Sequence, residues 1–209
     1  MGAFMPCFIS VHFLVYIMVS LASFVGFFPC VAFSGSRVGS SSASVSCRAF
    51  LPVLAGFSGS VGVGCAWGVD SLVRSAFPSA SVFRVSSFLV GGRVSRASFA
   101  LRSSALVSWC ASRGGLLVAF PLGACPVGVA VSSSFRGCGS GSWGSVALAL
   151  GLGGSVLVVS SVGVGSAWFG ALASRFCCVG SAPCGGLLWV ASPVPFPVPP
   201  VGGGQLSLF

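Results

Sequence analysis

The chain has 209 residues, enough for one domain with a real core and tails, and carries ten Arg, no Lys, one acidic residue and a formal charge of +9. With Asp70 the only acid, chemistry that needs two carboxylate side chains is excluded, and the ten cysteines, with His12 the sole His, show no zinc spacing. Lys, Glu, Thr and Asn are absent; their codons all need adenine, so much of the composition reports an adenine-depleted coding strand. Asp70 and Gln205, the two adenine-requiring residues after Met18, therefore carry the most weight.

From the amino end, residues 8–28 are uncharged and long enough to cross a bilayer. With every Arg downstream, such a span would leave the main domain cytoplasmic. No Lys or Arg precedes the run, which argues against a secretory signal. Seven of the nine adenine-requiring residues fall in the first 18, and a strand-like run at 30–33 follows with only Pro29 between. Lipid-embedded helix could hardly deliver a core strand so directly. Residues 1–29 are read as a hydrophobic extension, with a membrane segment as the alternative, and the protein as cytoplasmic.

Strands are then predicted at 30–33, 61–65, 81–88, 115–121 and 155–160, each a short apolar or alternating run. Helices are predicted between them at about 44–55 (strained by Pro52), 67–77, 95–112 and 142–150, with a Gly-, Ser- and Cys-rich loop at 122–140. This alternation implies an α/β fold with a parallel sheet covered on both faces and right-handed crossovers. Such sheets bind ligands at the carboxyl ends of their strands. Residues 161–204 read as a low-complexity, Pro- and Gly-rich linker, in which residues 193–200 form a stiff polyproline stretch and 202–204 a flexible joint.

Three glycine-bearing turns follow predicted strand ends: Ser34-Gly35-Ser36-Arg37, the run from Gly64 and Cys65 through Gly68 to Asp70, and Pro121-Leu122-Gly123 with Gly139-Ser140-Gly141-Ser142. Gly permits close backbone approach, helix N-termini present free amides and Arg supplies a planar cation, so these turns form a candidate phosphate cradle. Its residues are Gly35, Ser36, Arg37, Gly64, Cys65, Gly68, Asp70, Arg102, Gly139, Gly141 and Ser142. Asp70 would accept from a ribose hydroxyl or orient an Arg; in the plainer reading it offsets the dipole of the second helix.

The series Phe33-Ser34-Gly35-Ser36-Arg37, the run Val63 to Asp70, Gly92-Arg93 with Arg102-Ser103, Val118 to Pro121, and Gly139 to Trp143 resembles the SLOG superfamily. That group contains the DNA-processing protein A family, the LOG-type phosphoribohydrolases and small Rossmann-like nucleotide-binding proteins. The resemblance covers about residues 30–160. It implies a Rossmann-like three-layer fold with a mainly parallel sheet of about five strands, whose glycine turns hold a nucleotide or single-stranded DNA. LOG-type enzymes carry Gly-Gly-x-Gly-Thr-x-x-Glu, but here Cys138 replaces the first glycine, Ser142 the threonine and Ser145 the glutamate. Ser cannot supply the carboxylate used for glycosidic cleavage, so binding is expected in place of hydrolysis.

The final residues, Gln205-Leu206-Ser207-Leu208-Phe209, resemble the bacterial sliding-clamp-binding pentapeptide. That resemblance implies that Leu208 and Phe209 bury in an apolar pocket of the clamp, with Leu206 adding a smaller contact and Gln205 hydrogen-bonding at the rim. The expected protein binds a nucleotide or single-stranded DNA, without metal, and reaches DNA processing, replication or repair through the clamp. The alternatives are a LOG-type nucleotide N-glycosidase and a membrane-anchored nucleotide sensor; self-association is left open.

Overall fold

A computed structural model describes residues 21–193. Its elements run β1 (Cys30–Gly35), α1 (Ser42–Phe50), β2 (Ser60–Gly64), α2 (Val69–Ala76), β3 (Ser81–Phe83), α3 (Arg96–Ala111), β4 (Leu116–Phe120), α4 (Gly141–Gly151), β5 (Ser155–Val159), β6 (Cys177–Ser181) and β7 (Leu187–Ala191). Three 3-10 segments, Leu51–Leu54, Val85–Phe88 and Ser166–Arg175, join them. The strands make one sheet in the order β3-β2-β1-β4-β5-β7-β6. The first five are parallel neighbours, while β7 runs antiparallel to both β5 and β6.

All five predicted strands are present, but the sheet has seven. The two additional strands lie beyond residue 160, where low complexity suggested a linker. Leu188, Trp189, Val190 and Ala191 of β7 are buried against the two sides of the sheet, so this short apolar run is a strand that β5 pairs and covers. Its partner β6 is exposed throughout and shows no alternation to read.

Two predicted elements end early. The third strand stops at Phe83 and passes into the 3-10 turn Val85–Phe88, the Val85 amide donating to Cys65 Sγ at 3.2 Å. The first helix ends at Phe50, and the chain continues as 3-10 helix with Pro52 in its opening turn. Proline has no N–H to give and is tolerated at that position. By contrast, α3 begins where a capping signal stands: Ser95 accepts from the Ser98 amide at 3.2 Å, and Ser98 Oγ accepts from the Ser95 amide at the same distance.

Side-chain alternation along the strands divides the core into two layers. Val31 and Phe33 of β1 face α1 and α2, whereas Cys30 and Ala32 face α3 and α4. Phe120 ties the first layer together, lying parallel to Phe33 at 6.4 Å and edge-on to Phe50 at 5.7 Å between ring centroids. In the second layer Trp143 packs edge-on against Trp168 and Phe169 at 5.2 and 5.6 Å. Burial on both faces explains why the central strands read as unbroken apolar runs.

Among the described residues, no helix is long and apolar enough to cross a membrane. Most of the 8–28 run lies outside the described residues, as do Gln205, Leu206, Leu208 and Phe209; residues 21–26 are helical, with Leu21 and Val25 in the core.

Candidate functional site

The carboxyl ends of β1 and β2 bring together the first two glycine turns, at Ser34–Arg37 and Gly64–Asp70. Asp70, in the first turn of α2, is buried, and its Oδ2 accepts from Arg102 Nη1 at 3.0 Å and from the Ala66 amide at 3.1 Å. Arg102 projects from α3 and is 5% exposed. The only acidic side chain in the chain thus orients an Arg from another helix, 32 residues away. Arg74 adds a second tie, its Nη1 donating to the Gly64 carbonyl at 2.8 Å.

The glycines divide into two kinds. At Gly64 a Cβ would fall on Arg102 Nη1 and Asp70 Oδ2, and at Gly35 it would meet the Val69 side chain at 2.6 Å. Gly68 has φ +73°, and a Cβ there would strike the Ser36 carbonyl oxygen, to which the Val69 amide donates at 3.0 Å. These three positions allow the protein to approach itself. A Cβ at Gly139 or Gly141 would meet nothing within 4 Å, so only that turn presents open space.

The remaining candidates are also placed. The Ser36 hydroxyl accepts from the Val38 amide at 3.1 Å. Exposed Arg37 lays its guanidinium over the Phe99 ring, 4.2 Å from the centroid. Cys65 is held by Val85 as described, and buried Ser142 lies 3.3 Å, oxygen to oxygen, from Ser140, the N-cap of α4.

A narrow cleft between the β1 turn, α3 and the start of α4 gathers Gly35, Arg37, Asp70, Arg102 and Gly141. Ser36, Gly64, Cys65, Gly68, Gly139 and Ser142 do not line it. Ser34, Ala66, Ser103 and Ser145 do; of these, Ser145 follows Gly141 by one helical turn, a spacing that could have placed both on one face. The cleft measures about 30 Å³, room for roughly one water. Two Arg and one Asp line it, and Arg102 Nε is buried without a hydrogen-bond partner among the described residues. A larger hollow of about 370 Å³ lies at the opposite end of the strands, beside Pro29, Phe57 and Gly59, and holds none of the candidate residues. Among the described residues, no three His, Cys, Asp or Glu are grouped to hold a metal ion.

Burial, reinforced by the nearby Asp70 charge, pushes the Cys47 thiol up to about 12 from its ordinary 9.0. Cys125 rises to about 11 through burial and proximity to Cys138, and Cys110 rises through its hydrogen bond with Cys30 and burial. Cys30 is shifted down, chiefly by that same hydrogen bond. For Cys47 the unfolded chain releases its proton near pH 9 and the folded chain does not. Stability is therefore unaffected below that pH and falls as pH rises toward 12, by at most about 1.4 kcal/mol per unit. Urea midpoints across the alkaline range are expected to decline less steeply in Cys47→Ala than in the wild type; equal slopes would remove Cys47 from the effect.

No family model matches the chain, and neither does any curated protein or solved structure.

Proposed function

We propose that the chain is a Rossmann-like, SLOG-type protein that binds a nucleotide or single-stranded DNA and is brought to DNA by a clamp-binding tail. The observation that carries this reading is the position of the cleft. In the order β3-β2-β1-β4-β5 the connections reverse direction between β1 and β4, and the cleft lies there, between the turn after β1 and the helix after β4. Open parallel sheets take ligands at such a switch point. The free Arg102 Nε, exposed Arg37 and the amides opening the 11-residue helix α4 suit a phosphate group. So small a cleft would admit phosphoryl oxygens, leaving sugar and base across its mouth.

Binding is favoured over glycosidic cleavage because Asp70 is engaged with Arg102 and Ser145 directs its hydroxyl to the Gly141 carbonyl at 3.0 Å. Titrating the full chain into labelled oligothymidylate by fluorescence anisotropy should show affinity that declines with salt, and weaker binding in Arg37→Ala. Removing residues 205–209 should abolish binding to a bacterial sliding clamp while leaving oligonucleotide affinity unchanged. Absence of oligonucleotide affinity overturns the first half of the reading, and clamp binding that survives the deletion overturns the second.

A further inference from the structure

Trp67 has no structural employment that accounts for it. Its side chain is 81% exposed, and it makes no ring contact among the described residues, whereas Trp109, Trp143, Trp168 and Trp189 all pack against other rings. The backbone that carries it is nevertheless held on both sides. Before it, the Ala66 amide donates to Asp70; after it, Gly68 abuts the Ser36 carbonyl and Ser71 Oγ donates to the Gly68 carbonyl at 2.8 Å. An indole on a fixed turn with its face in water is a preorganised apolar surface, costly to leave solvated.

Its neighbours define what could cover it. Ala66, the preceding residue, lines the cleft. A Cβ on Gly68, the following residue, would lie 3.0 Å from the Arg37 Cα, so the turn bearing Trp67 packs directly on the turn bearing Arg37. Stacking on Phe99 holds the Arg37 guanidinium in place. An aromatic face one residue from the cleft wall and a positioned cation that lines the same cleft match the two parts of a nucleotide in an unpaired strand, a flat base and its phosphate. Duplex DNA, with its bases stacked on one another, offers no such face.

We infer that Trp67 is a stacking platform for an unpaired base whose adjoining phosphate is held by Arg37. This rests on the nucleic-acid reading above and names the residue that gives it a preference for bases over phosphate alone. The test compares labelled oligothymidylate with an abasic oligomer of equal length, using anisotropy on the full chain. Trp67→Ala should weaken oligothymidylate binding about 10-fold or more, leave the abasic oligomer unchanged and keep the melting temperature of the wild type. Trp67→Phe, which retains an aromatic face, should preserve most of the affinity, and Arg37→Ala should weaken both oligomers. Wild-type affinity for oligothymidylate in Trp67→Ala, an equal loss on both oligomers, or a Phe variant as weak as the Ala variant overturns the stacking role alone. A wild-type chain that binds neither oligomer overturns the nucleic-acid reading along with it.

Discussion

Arg102→Met is expected to lower the free energy of unfolding by about 3–5 kcal/mol, the usual cost of removing one partner from a buried ion pair. Both side chains lie in the interior, at 6% and 8% exposure, so the Asp70 carboxylate left behind would keep the Ala66 amide as its remaining hydrogen-bond partner among those described. Natural domains have total stabilities of only about 5–15 kcal/mol, and a loss of this size is readily seen in urea denaturation. The coupled change Asp70→Leu with Arg102→Met should recover much of it, because two apolar side chains need no compensation for lost hydration. A single Arg102→Met variant within about 1 kcal/mol of the wild type would mean that Asp70 regains water in that variant and that the pair contributes little to the fold.

Gly68→Ala should be comparably damaging for an unrelated reason. Its φ of +73° is paired with ψ of −127°, a combination that L-residues with a Cβ rarely adopt, at about 1–3 kcal/mol of strain. The new methyl would also strike the backbone of Ser36 and Arg37, which cannot rotate away as a side-chain tip can. Relief requires separating the β1 turn from α2 and so breaking the bond from the Val69 amide to the Ser36 carbonyl. A total of about 3 kcal/mol or more is expected from thermal or urea unfolding. Gly141→Ala supplies the contrast: a Cβ there meets open space at the first position of α4, and its stability should stay within about 0.5 kcal/mol of the wild type. Similar losses at both positions would show that the Gly68 turn adjusts, contrary to the close packing described for it.

These two cases also mark the boundary between local and long-range information in this chain. The β1, β2, β4 and β5 runs could be placed from sequence because a strand buried on both faces is a short unbroken apolar run, and the longer segments between such runs have the length of helices. The helix predicted at 95–112 starts as expected, and the Ser95–Ser98 cap that fixes its first turn is equally local. The glycine at 68 and the glycine at 141 look alike in sequence, yet one is pressed against Ser36 and the other faces solvent. No local pattern distinguishes them, because the neighbour that decides the matter belongs to another turn.

The same holds for the site and for the far side of the sheet. Asp70 stood out by composition alone, and an Arg partner was one of its readings, but its pairing with Arg102 required α3 to cross the sheet and lay that side chain beneath Gly64. β6 and β7 escaped notice because an exposed edge strand carries no alternation and its neighbour is a single apolar run, which becomes a strand only when β5 offers an edge to pair with. The type of most elements between residues 30 and 160, the cationic character and the lone carboxylate were settled by the sequence itself, since each depends on residues close together in the chain or on their totals. Which glycines are filled, which Arg is neutralised and where the cleft opens were decided by tertiary packing, because each depends on contacts between segments that only the folded sheet brings together.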